Sequence, residues 1–196
     1  MAPARTPDAQ PEPVAGAVPA TLSALVLTFS WVDSPIGPLT LATDDQGRVR
    51  GVSFGDGLGP TMRREYPAAA SVEGEPPPAL AAALAAFFSG DRAALSRVPR
   101  SLDGARSASA ADGFQPAVWR ALAAIPCGTT ISYGEIARRA GQPGAAQAAG
   151  VALNRNPLPL VLPCHRVVGA DGAMVGFGGG LERKTWLLQH EGALLI

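Results

Sequence analysis

Apolar residues in the first half of the chain come in short runs broken by turn chemistry. Leu25–Val32, Pro38–Thr43 and Val49–Phe54 are such runs, separated by Ser34-Pro35-Ile36-Gly37 and Asp44-Asp45-Gln46-Gly47. Runs of this length bounded by Gly, Pro, Asp and Ser predict strands joined by tight turns, hence an antiparallel meander. The period then changes. Pro78–Ser89 is alanine-rich and carries Leu80, Leu84, Phe87 and Phe88, with proline at its start and Gly90 at its end. That punctuation predicts a helix. Residues 91–113 hold Gly, Ser, Ala and scattered charge without a period, and read as a connecting stretch.

The second half is predicted to be mostly helical. Val118, Trp119, Leu122 and Ile125 fall at helical spacing. Ser132-x-x-Glu135 has the form of a capping box for a helix over Tyr133–Ala140, which Gly141 would stop. Gln142-Pro143-Gly144 then turns the chain into a third helix, Ala145–Asn154, ended by Asn156-Pro157. Two helices joined by a short glycine-containing turn form a helix-turn-helix pattern, which many core helix pairs share. The third helix is slim, with Ala145, Ala146, Ala148, Ala149, Gly150 and Ala152. Such a helix either packs closely on a neighbour or enters a minor groove about 6 Å wide. A last helix is expected over Glu182–His190.

Composition narrows the class. The chain has 196 residues and no net charge. No run of about 18 apolar residues occurs, so no membrane-spanning helix is expected. Residues 1–24 hold five prolines and no sustained apolar stretch, and are expected to be a disordered tail rather than an export signal. With Cys127 and Cys164 as the only cysteines, a reduced cytoplasmic compartment is expected. Neither cysteine stands at metal-site spacing from a second ligand, so no metal is expected. From Phe114 to Ile196, seven basic side chains face four acidic ones. Any nucleic acid would therefore meet this half, with a modest phosphate contribution.

The chemistry concentrates in residues 159–168, Pro-Leu-Val-Leu-Pro-Cys-His-Arg-Val-Val. The apolar run buries the chain, and the Pro163-Cys164-His165-Arg166 step puts a thiol beside an imidazole. A neighbouring histidine favours the reactive thiolate. Taken alone, Cys164 reads as a buried small hydrophobe, and Cys127, between Pro126 and Gly128, as structural or incidental.

In this setting the chain resembles the O6-alkylguanine-DNA alkyltransferases, the methylated-DNA–protein-cysteine methyltransferases. The resemblance rests on Asp33-Ser34-Pro35-Ile36-Gly37-Pro38-Leu39, Ile131-Ser132-Tyr133-Gly134, Asn156-Pro157, Pro163-Cys164-His165-Arg166-Val167, Gly179-Gly180-Leu181 and His190-Glu191-Gly192. It implies an α+β fold, with a small ribonuclease H-like antiparallel-sheet domain over 25–100 and a linker over 101–113. A mostly helical domain over 114–196 would carry the winged-helix-like helix-turn-helix. It implies repair of O6-alkylguanine, and of O4-alkylthymine, in double-stranded DNA by a monomer without cofactor.

By the same resemblance, Cys164 accepts the alkyl group, His165 draws its proton through a water, and Glu191 orients His165. Asn156 holds the active-site turn, and Tyr133 contacts the flipped nucleotide and protonates the leaving guanine. Ala145, Ala146, Gln147 and Arg155 would meet DNA. Leu153, Pro159, Val167, Phe177 and Gly178 would line the base pocket. The chain departs from the family pattern at Gln147, where an arginine that fills the vacated base stack is usual, and at Phe177, where tyrosine is common. The cysteines and histidines that bind zinc in some relatives are absent. Two other readings use the same residues. One is a lesion sensor without transfer, which would not need Cys164; the other is a cysteine hydrolase, which would leave the helix-turn-helix unexplained.

Overall fold

A computed structural model describes residues 25–103, 105 and 113–194. The expected tail over 1–24 and most of the expected linker lie outside the described residues. The meander forms as its turn residues require: β1 (Val26–Val32), β2 (Leu39–Thr43) and β3 (Val49–Phe54) pair antiparallel in sequence order. Its second turn is built by Asp44, whose Oδ1 accepts from the backbone N–H groups of Gln46 at 3.1 Å and Arg48 at 2.9 Å.

The sheet is mixed rather than antiparallel. After α1 (Pro60–Glu65), β4 (Ala70–Glu73) joins the free edge of β1 in parallel, giving the order β3-β2-β1-β4. Neither element was visible in the sequence pattern. Every residue of β4 is exposed, so no apolar alternation marks it, and its place comes from pairing with the edge of β1. Helix α2 (Pro78–Phe88) follows as expected and buries Leu80, Leu84 and Phe87. The next stretch is more ordered than a connector. Ala94–Arg97 makes a 3₁₀ turn that buries Leu95, and Val49 bonds to both Pro99 and Ser101 through its backbone.

In the second half, α3 (Phe114–Leu122) ends before Ile125, which is buried on the turn that follows. A two-residue strand, β5 (Ile131–Ser132), leads into α4 (Tyr133–Arg139). Half of the capping box forms. Ser132 Oγ accepts from the Glu135 N–H at 3.1 Å, while the Glu135 carboxylate turns away to Arg138 and Arg139. Two nearby guanidiniums offer charged donors that a single backbone N–H cannot match. Gly141, at φ +83°, ends the helix in the left-handed region. Helix α5 (Ala146–Asn154) packs on α4 and buries Ala149, Ala152 and Leu153. Trp119, fully buried in α3, donates its indole N–H to Ala152 O at 2.9 Å.

A 3₁₀ turn, Cys164–Arg166, runs into β6 (Val167–Val168), which pairs in parallel with β5. This pairing sets the start of α4 beside the cysteine turn. Helix α6 (Leu181–His190) closes the fold. One apolar core runs through both halves, from Leu39, Leu41 and Val52 of the sheet to Trp119, Leu158 and Leu187. Val52 N–H donates to Pro157 O at 2.8 Å, and Arg183 Nε donates to Ile36 O at 2.7 Å. The sheet thus buttresses the segment that carries the chemistry.

Candidate active site

The cysteine turn is held by Asn156. Its Oδ1 accepts from Leu158 N–H at 2.9 Å, and its Nδ2 donates to Leu162 O at 2.8 Å and to the Cys164 sulfur at 3.2 Å. One buried amide therefore spans the loop and reaches the thiol. Within that loop Leu160 sits at φ +73°, a left-handed conformation unusual for a branched residue. Such strain persists where surrounding contacts over-determine the chain.

His165 is fully buried. Its Nε2 lies 3.0 Å from Glu191 Oε1, and its Nδ1 is buried without a protein hydrogen-bond partner. Burial holds the imidazole below the usual histidine range, against the pull of Glu191. Burial also raises the Glu191 carboxyl, but hydrogen bonds from His165 and Arg166 outweigh it and hold the group at about 2. An ionised carboxylate can only accept, so Nε2 carries the hydrogen and Nδ1 keeps its lone pair. The geometry therefore leaves Nδ1 as the basic atom.

Cys164 is partly buried. Burial pushes its thiol up, while the Asn156 hydrogen bond and the charge of Lys184 pull it down. The net direction is upward, so the resting sulfur is a thiol. The Tyr133 hydroxyl donates to Val175 O at 3.2 Å. Burial raises the phenol above its usual range, so it keeps its proton.

A cavity of about 130 Å³ adjoins Cys164. Leu153, Pro159, Phe177 and Gly178 line it, as does Asn156. Val167 does not. It is buried in β6, and its carbonyl accepts from Lys184 Nζ at 2.7 Å. Ala145 and Ala146 stand half-buried where α5 begins, and Gln147 is exposed one residue on. Gln147, Val151 and Asn154 make an exposed stripe along α5. Arg155 is exposed at the other end of that helix, 3.4 Å from Gln115 Oε1. Cys127 lies apart from the cavity.

Three contributors escaped the sequence reading. Arg166 clamps Glu191, with Nε to Oε2 at 2.8 Å and Nη2 to Oε1 at 2.8 Å. A buried carboxylate needs a cation, and the residue after His165 supplies one. Lys184 is buried and ties β6 to the loop before α6, donating to Val167 O and, at 2.9 Å, to Val175 O. Its signal is a lone charge on the apolar stripe with Leu187 and Leu188. Phe54, at the end of β3, meets the Phe177 ring edge-on at 5.6 Å, and Arg183 lies 5.4 Å over its face. A side chain at position 179 would strike both rings, which is why glycine stands there.

Residues 113–193 match the family model described as 6-O-methylguanine DNA methyltransferase, DNA binding domain. A methylated-DNA–protein-cysteine methyltransferase of Salmonella typhimurium is 38% identical over 170 residues, covering 84% of this chain and 95% of that protein. The chain belongs to this family. A second relative of the same name, from Mycolicibacterium paratuberculosis, is 43% identical over 171 residues, covering 85% of this chain and 93% of its own length. The crystal structure of Mycobacterium tuberculosis O6-methylguanine methyltransferase superposes with a TM-score of 0.66 at 37% identity, covering 85% of this chain and 93% of that one. A structure of the Mycobacterium tuberculosis protein in complex with DNA gives 0.65, over 84% and 92% of the two chains. Membership, with Cys164 in its turn, makes this family member a transferase and sets aside both the sensor and the hydrolase readings.

Proposed function

We infer that the chain repairs double-stranded DNA by moving the alkyl group of O6-alkylguanine, and of O4-alkylthymine, onto the sulfur of Cys164. The observation that carries this reading is the linked set Asn156–Cys164 and His165–Glu191 beside an open cavity. The target carbon is out of reach in a stacked duplex, so the nucleotide must leave the stack at a cost of a few kcal/mol. The exposed stripe of α5 offers a slim surface for the minor groove, with Gln147 nearest the vacated stack.

Sγ then forms a bond to the alkyl carbon as the carbon–O6 bond breaks. The thiol proton passes through a water to His165 Nδ1, and the imidazolium is stabilised by Glu191. Tyr133 protonates the departing guanine, which leaves better neutral than as an anion. The product is a thioether that no neighbouring group can cleave, so each molecule acts once. We infer a cytoplasmic setting from the two free cysteines, Cys127 and Cys164; among the described residues no helix is long and apolar enough to cross a membrane.

Cys164→Ser tests this reading. It should keep lesion binding and lose transfer, because a hydroxyl is far less acidic than a thiol. Transfer that survives in Cys164→Ser, or is lost in Cys127→Ser, would contradict it.

A further inference from the structure

In-line attack places Sγ and O6 on opposite sides of the alkyl carbon. Whatever else that carbon bears must therefore project sideways, into the space that adjoins the sulfur. That space is the cavity beside Cys164, and six of its fourteen lining residues come from outside the catalytic half. Ser53 and Phe54 of β3, with Pro60 and Thr61 at the start of α1, line it together with Pro159 and Phe177.

The wall is fixed at both ends. Ser53 Oγ accepts from Gly59 N–H at 3.1 Å, which ties the start of α1 to β3. Val52 N–H donates to Pro157 O at 2.8 Å, which ties β3 to the segment that Asn156 organises. Across the cavity, Arg183 Nη1 donates to Gly179 O at 2.8 Å while its guanidinium covers Phe54. The wall thus cannot drift from the sulfur without breaking backbone contacts.

We propose that this N-terminal wall, to which the half-buried Thr61 contributes, sets the largest alkyl group that the protein transfers. The proposal rests on the transfer reading above. The space beside Cys164 is about 130 Å³. A methyl group leaves the wall untouched, and a benzyl group presses its ring against it.

The test uses the full chain and two duplexes that differ only in carrying O6-methylguanine or O6-benzylguanine at one position. Single-turnover transfer is measured for wild type, Thr61→Ala and Thr61→Trp. The methyl substrate serves as reference for folding, DNA binding and flipping within each protein. The benzyl-to-methyl rate ratio should rise several-fold in Thr61→Ala and fall by roughly tenfold in Thr61→Trp, the size of effect one ill-fitting group has in an apolar pocket. A ratio that stays at the wild-type value in Thr61→Ala, or rates that move together on both substrates, would overturn the proposal. Should Thr61→Trp fail to fold, the ratio in Thr61→Ala decides alone. Absence of methyl transfer by the wild type would instead remove the transfer reading itself.

Discussion

Arg166 grips both oxygens of the Glu191 carboxylate, at 2.8 Å each, while Glu191 Oε1 also faces His165. Arg166 further donates to Ile125 O at 2.6 Å, so the guanidinium joins the turn after α3 to the end of α6. Glu191 is fully buried and Arg166 nearly so. Removing one partner of such a pair leaves an uncompensated charge. Arg166→Met should therefore lower unfolding stability by about 3 kcal/mol, measured in urea. A loss within experimental error would show that His165 alone suffices to hold the carboxylate.

Acid should loosen the fold through the same cluster. The His165 pKa is lowered by folding, so the unfolded chain takes up a proton first as pH falls past about 6.5. Glu191 is held at about 2, so below its ordinary range the unfolded chain again binds the extra proton. Both act in one direction: stability is fullest above about pH 6.5 and declines as pH falls towards 2. Glu191→Gln should flatten the lower part of that decline. An unchanged profile would mean that other carboxylates control acid unfolding.

The proton relay makes a kinetic claim. Wild type should hold a level single-turnover rate around neutral pH, with the fall on the acid side set by His165. His165→Ala should slow transfer by roughly 10²–10⁴-fold, the usual worth of acid–base assistance. The wild-type protein should show no thiolate absorbance at neutral pH beyond that of Cys164→Ser. Equal rates in wild type and His165→Ala would remove the imidazole from the mechanism.

DNA binding should depend weakly on salt. Arg138 and Arg139 are engaged by Glu135, Arg166 by Glu191, and Lys184 is buried. The salt slope of duplex affinity should correspond to fewer than about six phosphate contacts. A steeper slope would require contacts from the sheet half.

Gln147 stands exposed on α5, next to the half-buried Ala146. Its side chain is short and uncharged for filling a gap in a base stack. Gln147→Arg should speed repair of duplex DNA, by about tenfold for each 1.4 kcal/mol gained by the extrahelical state. Single-stranded DNA and free O6-benzylguanine should gain less, since neither requires a stack to be broken. Equal acceleration on all three substrates would place residue 147 in the pocket's chemistry instead.

Much of this architecture is legible from local rules. Strands β1 to β3 and helices α2, α4, α5 and α6 lie within a residue or two of where turn residues, prolines and glycines set them. The Pro-Cys-His-Arg step pointed to the thiol and imidazole because both are adjacent in sequence. What stayed hidden depends on contacts across the fold. Strand β4 has no apolar face of its own. Arg166 finds Glu191 25 positions away, and Phe54 meets Phe177 across the two halves. No periodicity encodes such meetings; the shared core creates them.

One alkyl group should pass to Cys164 and stay there. Intact mass of the full chain, after incubation with excess duplex containing O6-methylguanine, tests it most directly. The protein should gain one methylene unit per molecule and no more, located on the Cys164 peptide and missing in Cys164→Ser. An unchanged mass alongside demethylated DNA would mean turnover rather than capture, and a methylene on Cys127 would mean the wrong sulfur; either result would contradict capture by Cys164.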